Sequence, residues 1–345
     1  MKGLVIASAL TLVGSCATTR YSTKIENIKN NIQLTDSAIV MRFANTITAN
    51  ELETHLFAYA SNDFQGRKTG ELGQKKAVNF LKKYYQSQEI YSPIKDSIYF
   101  QEISKEFLPD DIKSTENVLA YIKGSEKPDE VVIISAHLDH LGIEDNKVFN
   151  GADDNGSGTT ALMEMAQAFQ LAVKEGFTPK RSILFLHLTG EELGLYGSTY
   201  YIENPIFDLG KTIVDLNIDM IGRIDKKHKD NPNYLYLIGA DRISKELHFI
   251  SEKINDTYFN LDLDYTYNDE EDHNRYYYRS DHYKFAQKNI PVIFYFNGEH
   301  DDYHQVTDTP DKIEYDLLAK RTRLIFSTAW YLANKDQKLI HNEDI

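Results

Sequence analysis

The feature that most constrains this chain is a repeated order: a short apolar run, a polar cluster directly after it, then a helical stretch. Val131-Val132-Ile133-Ile134 runs into Ser135-Ala136-His137-Leu138-Asp139-His140. Ser182-Ile183-Leu184-Phe185-Leu186 leads to Thr189-Gly190-Glu191-Glu192, and the run from Thr212 to Ile218 ends in Asn217-Ile218-Asp219-Met220. Tyr234 to Ile238 is a fourth run, alternating and more edge-like. Pro291 to Phe296 is the last, followed by Tyr303-His304-Gln305 and Thr307-Asp308-Thr309. Continuous apolar runs of this length suit strands buried on both faces. Helical stretches lie between them at Gly158 to Val173, Ser244 to Ile254 and Leu317 to Ala333. This alternation predicts an α/β fold: a single domain with a mostly parallel central sheet flanked by helices on both faces.

Ahead of that core, Thr48-Ala49-Asn50-Glu51 marks a helix start with Leu52, Leu56 and Phe57 on one face. Gly66-Arg67 and Gly70 mark a loop, and Gln74 to Ser87 reads as an amphipathic helix. Asp256 to Tyr278 is acidic, tyrosine-rich and irregular, and reads as a long loop. The expected organisation is a signal peptide over 1–15, a lipid-anchored tether and N-terminal helix over 16–46, the main domain over 47–335 and a tail over 336–345.

Lys2 and the apolar run from Leu4 to Val13 form a short leader that ends in Val13-Gly14-Ser15-Cys16. The run is too short to span a bilayer as a mature helix. Small residues before a cysteine match a bacterial lipobox. The expectation is therefore a lipoprotein, anchored to a membrane through Cys16, with a plain signal peptide as the alternative. Ala17 in place of an aspartate favours the outer membrane within a cell-envelope location: periplasm, outer membrane or cell surface. Cys16 is the one cysteine in the chain, so there is no intrachain disulfide and no thiolate metal site. The formal net charge of −14 argues against a nucleic-acid partner, whose phosphates need a basic surface.

In sheets of this kind ligands bind beyond the carboxyl ends of the strands. The polar clusters fall there, joined by the loop Gly151-Ala152-Asp153-Asp154-Asn155-Gly156. A nitrogen and oxygen donor set without thiolate suits zinc, with cobalt or manganese as substitutes. Two ions about 3.5–4 Å apart need a carboxylate that touches both, and a separate carboxylate to carry the proton. The adjacent Glu191 and Glu192 supply a base and a ligand, since neighbouring side chains point in different directions. Ser280-Asp281-His282 is not a serine triad, because no nucleophile elbow precedes it.

These motifs resemble the M28 family of zinc aminopeptidases over roughly Leu52 to Ala333. The resemblance includes His55-Leu56, Gly66-Arg67, Gly70, Gly73 and Asn117-Val118. It implies two zinc ions: His137 and Asp219 bind one, Glu192 and His304 bind the other, and Asp154 bridges them. It further implies Glu191 as general base and later acid, Asp139 orienting His137, and a cis peptide between Asp154 and Asn155. Tyr277 is implied as an aid to the oxyanion, with packing on its loop as the alternative. Asp153 competes with Asp154 as the bridge, and His300 with His304 as the ligand. His140, His187 and His282 read as structural or peripheral, and Ser280-Asp281-His282 resembles a family segment that lines the site and supports its wall.

The implied activity is removal of N-terminal residues from peptide substrates. A carboxypeptidase or dipeptidase on the same metals, a single-zinc glutaminyl cyclase and a non-catalytic binding module are the alternatives. The carboxylates of Asp269, Glu270, Glu271 and Asp272 offer a place for a substrate's α-ammonium, against the alternative of a solvated acidic loop.

Overall fold

The computed structural model describes residues 20–95 and 97–345; the leader and Cys16 lie outside the described residues. The centre is an eight-stranded mixed sheet in the order β1-β2-β6-β3-β7-β10-β8-β9. Its strands are β1 (Phe100–Ile103), β2 (Thr115–Ile122), β3 (Lys127–His137), β6 (Arg181–Leu188), β7 (Thr212–Ile218), β8 (Tyr234–Ile238), β9 (Asp262–Asp264) and β10 (Val292–Phe296). β4 (Gly142–Glu144) and β5 (Lys147–Phe149) form a separate small hairpin. β6, β3, β7 and β10 run parallel in the middle. β1, β2 and β8 join antiparallel, while β9 lies parallel to β8. The four central strands therefore deliver their carboxyl ends to one edge.

The apolar runs are continuous because both sheet faces are covered. Val132, Ile134, Ile183 and Phe185 enter one core, whereas their neighbours Val131, Ile133, Leu184 and Leu186 enter another. The larger core is closed by α3 (Ala49–Tyr59), α4 (Leu72–Ser87), α5 (Gly158–Lys174), α7 (Lys245–Tyr258) and α9 (Tyr315–Asn334). Phe169 stacks on Trp330 there, with ring centroids 5.7 Å apart. The smaller core is closed by α6 (Tyr196–Glu203) and α8 (His282–Ala286) through Tyr201, Ile202 and Phe285. No helix among the described residues is long and apolar enough to cross a membrane.

Five expectations need correction. The stretch read as a tether followed by one helix holds two helices among its described residues, α1 over 20–31 and α2 (Ser37–Ala44), which dock on the domain. Phe43 is fully buried and packs on Trp330. Phe57 is 46% exposed, leaving α3 to face the core with Leu52, Leu56 and Tyr59. β8 is not an edge: β9, inside the segment read as a loop, covers it. Its Tyr234 and Tyr236 are fully buried, so the apparent alternation was of aromatic and aliphatic residues. β2 went unread because it opens on Thr115, Glu116 and Asn117, polar yet buried, and β1 because it is four residues with polar Gln101 and Glu102 at its centre. The C-terminal tail packs on α7, where Ile340 N donates to Glu246 and Asn342 accepts from Lys245 N.

Two buried arginines tie loops to this frame. Arg67 donates to the carbonyls of Leu138, Asn150 and Gly151, joining the end of β3 to the loop that carries Asp154. Arg321, on α9, donates to the carbonyls of Ile221 and Arg223, just beyond Asp219. Hydrogen bonds from a charged donor contribute about 1.5–3 kcal/mol each, against the cost of burying the guanidinium.

Candidate metal centre

Among the described residues, two groups of donors converge tightly enough to hold a metal ion: His137 with Asp154 and Asp219, and His140 with Asp154 and Glu192. Each comes from the carboxyl edge of the sheet. His137 is the last residue of β3, Asp219 follows β7, Glu192 lies in the loop after β6, and His304 lies in the loop after β10. Asp154 sits in the irregular turn that opens α5, and its peptide bond to Asn155 is cis. Gly151 starts that turn at φ +55°, where a Cβ would meet the Asp154 carbonyl at 2.2 Å and the His140 ring at 2.5 Å. Arg67, Met220 and His304 also hold positive φ. Such left-handed backbone costs on the order of 1–3 kcal/mol for residues with side chains, and it clusters at functional sites.

The two oxygens of Asp154 face opposite ways. Oδ1 lies 3.1 Å from His137 Nε2, which is itself 3.2 Å from Asp219 Oδ1. Oδ2 lies 3.0 Å from His304 Nε2, and that nitrogen is 3.3 Å from Glu192 Oε2. Zinc bound at 2.0–2.1 Å in a tetrahedron spaces its donors by about 3.3 Å, so both halves fit. Asp153 turns away: its Oδ1 accepts from Gly222 N at 2.7 Å, and its Oδ2 pairs with His300 Nε2 at 3.1 Å. Asp154 rather than Asp153 therefore stands between the two halves, and His300 stands outside them.

The electrostatics match a place built for cations. Burial alone would push the Asp154 carboxyl up, but hydrogen bonds from His137 and His304 hold it well below the usual range. Burial likewise opposes charge on His304, yet Asp154 and Glu192 raise it to about 10. His137 is raised well above its ordinary value against its burial, chiefly by Asp219 and Glu191. The carboxylates that favour positive charge on these imidazoles would equally favour a bound cation.

Supporting contacts depart from two expectations. The nearest partner of His137 Nδ1 is the Asp139 backbone carbonyl at 3.2 Å, whereas the Asp139 carboxylate is 3.9 Å away. That carboxylate instead accepts from Glu191 N at 3.2 Å and from Thr69 Oγ1 at 2.7 Å, so it fixes the loop that carries Glu191. Tyr277 does not line the cleft: its ring lies under the Arg242 guanidinium at 3.9 Å and against His282. The cleft, about 60 Å³, is lined instead by Tyr276 and Tyr303, with Asp154, Glu191, Asp219, Met220, Arg279, Phe294, Phe296, Glu299 and His304.

Two contributors, His140 and Tyr303, escaped the sequence reading, and a third, Ser280, was expected along the site wall without its partner being legible. His140, fully buried, places Nδ1 2.8 Å from Glu192 Oε1 and 3.7 Å from Asp154 Oδ2. The step from His137 to His140 was visible in the sequence, but not which carboxylate His140 would meet. Ser280 Oγ donates to Asp219 Oδ2 at 2.8 Å. Tyr303 stacks on His304, with centroids 3.9 Å apart. His187 and His282 lie away from the cluster, His187 against the Tyr85 hydroxyl and His282 stacked on Phe294. A larger cavity, about 750 Å³, lies between the N-terminal helices, α7 and the end of α9, and shares no residue with this cluster.

A donor cluster of this composition at the carboxyl edge of a largely parallel sheet defines an α/β protein with a metal-type centre. The model of peptidase family M28 matches residues 117–329, well over half of the chain, and the chain belongs to that family. A probable glutamate carboxypeptidase, AMP1 of Arabidopsis thaliana, is 38% identical over 31% of this chain and 14% of its own length. Leucine aminopeptidase 2 of Trichophyton equinum is 29% identical over 59% of this chain and 36% of its own. The chain thus aligns with well under half of either relative. Among solved structures, the LapA aminopeptidase of Legionella pneumophila superposes with a TM-score of 0.68 at 20% identity, covering 88% of this chain and 77% of its own. BSAP, a zinc aminopeptidase from Bacillus subtilis, gives 0.65 at 15% identity, covering 84% and 96%. At these identities the structural likeness is one of fold.

Proposed function

We propose that this protein is a zinc metallopeptidase with two co-catalytic ions that removes N-terminal residues from peptides. The single observation that carries the reading is the two-sided Asp154 carboxylate, one oxygen toward His137 and Asp219, the other toward His304 and Glu192. The deep ion would be held by His137, Asp154 and Asp219; the outer one by Asp154, Glu192 and His304. His140 holds Glu192 in place. When bound, such ions polarise a scissile carbonyl and lower the pKa of the water beside them.

Glu191 lines the cleft without joining either donor group, as a proton carrier must. Its carboxyl is pushed well above the usual range by burial and by Glu192, Asp219 and Asp281, against the pull of His137. A carboxylate so raised accepts a proton from the attacking water and returns it to the leaving amine. Tyr303 keeps its proton: burial and the charges of Asp154, Glu192 and Asp219 push its phenol far up. It is therefore a donor suited to a developing oxyanion, the role the sequence suggested for Tyr277.

The test uses the Cys16→Ala chain. Zinc is counted per chain, and hydrolysis is followed on one peptide series with free and acetylated N-termini. Two ions and cleavage of the free-amine peptides alone are expected. A second reading, a carboxypeptidase, has support from the named activity of AMP1. It requires cleavage of the acetylated peptides, and that outcome would displace the main one.

A further inference from the structure

We propose that Glu299 is the receptor for the substrate's α-ammonium group, an assignment that rests on the aminopeptidase reading above. Four carboxylates line the cleft: Asp154, Glu191, Asp219 and Glu299. Asp154 and Asp219 belong to the donor cluster, and Glu191 is the proton carrier. Glu299 has neither task. It stands three residues after β10, with its side chain 39% exposed, so an incoming ligand reaches it. Met220, Phe294 and Phe296 make the neighbouring walls apolar, which leaves Glu299 as the one cleft carboxylate outside the donor cluster and the proton carrier.

Glu299 is also pre-oriented. Arg279 Nη2 donates to its Oε1 at 3.2 Å. The Arg279 guanidinium lies over the Tyr276 ring, 4.7 Å from its centroid. Arg279 thus already has an anion and an aromatic face as partners, and it does not offer an open fork to a substrate carboxylate. A carboxylate held in one direction at the mouth of a half-buried cleft gains more from an ammonium than a freely solvated one does, because less ordering remains to be done on binding. The loop carboxylates first considered for this task are unsuited to it. Asp269 and Asp272 spend oxygens on their own loop, accepting from Glu271 N, Asn274 N and Tyr276 N, and none of residues 269–272 lines the cleft.

The experiment compares wild type, Glu299→Gln, Glu299→Asp and the control Asp269→Asn, all with metal content measured. Two readouts are taken: KM and kcat on a free-amine aminoacyl substrate, and competition by a matched pair of peptides, one with an α-amine and one des-amino. Glu299→Gln should keep its zinc, raise KM by about tenfold to a hundredfold with a much smaller change in kcat, and lose the preference for the amine-bearing competitor. Glu299→Asp should recover part of that preference, and Asp269→Asn should match wild type. A Glu299→Gln protein that still prefers the amine, or that loses zinc, overturns the assignment while leaving the aminopeptidase reading intact. A wild type that cleaves acetylated and free-amine peptides alike defeats that reading, and this assignment falls with it.

Discussion

The two halves of the donor cluster are built by different means. The deep half stands on strand ends: His137 closes β3 and Asp219 follows β7, with side chains 1% and 12% exposed. Each has a second anchor, the Asp139 carbonyl for His137 and the Ser280 hydroxyl for Asp219. The outer half stands on loops. Glu192 is steadied by His140, while His304 is 35% exposed, has positive φ and leans on Tyr303. A strand end inherits its position from the whole sheet, whereas a loop residue depends on a few local contacts. The deep position should therefore be the tighter and more rigid one, and the outer position the adjustable one that meets substrate.

The largest effect should come from the group that serves both halves without binding either. Glu191→Gln is expected to keep both metals and lose about 10²–10⁴ in kcat. Near-normal turnover in that variant would remove Glu191 from the mechanism. Next come the ligands. Asp154→Asn should weaken both positions in a zinc titration. His304→Ala should lose the outer ion alone, leaving one equivalent that resists a chelator as wild type does. If His304→Ala sheds both ions together, the halves are not independent and the comparison breaks.

The smallest effect on activity concerns the scaffold behind the deep half. Burial drives His282 down to about 3, whereas an unfolded histidine titrates near 6.5. The unfolded state therefore takes up a proton first as pH falls, and this contribution to stability, complete above the unfolded value, is lost between about pH 6.5 and 3. His282→Phe, placed against Phe294, should flatten the acid limb. Its unfolding free energy relative to wild type should rise by roughly 2–3 kcal/mol from pH 6 to pH 4. Parallel pH profiles for the two proteins in denaturant titrations would show that His282 takes no part in acid sensitivity.

Much of this molecule was written in local pattern. Runs such as Val131–Ile134 and Ser182–Leu186 had to be strands buried on both faces, because their side chains alternate between two cores. Once parallel strands are set side by side, residues directly after them must share an edge. That is why His137, Asp219 and the Glu191-Glu192 pair were legible as one centre. What the sequence could not settle were contacts between side chains whose direction depends on loop conformation. Only the tertiary structure sends the Asp139 carboxylate to Glu191 N, sets His140 on Glu192, replaces Tyr277 with Tyr303 at the cleft and turns Glu299 into it. It also makes Asp262–Asp264 a strand, because β8 offers a free edge to a segment with no strand pattern of its own. Periodicity records which way a residue faces within its own element; it carries no information about which distant loop will come to meet it.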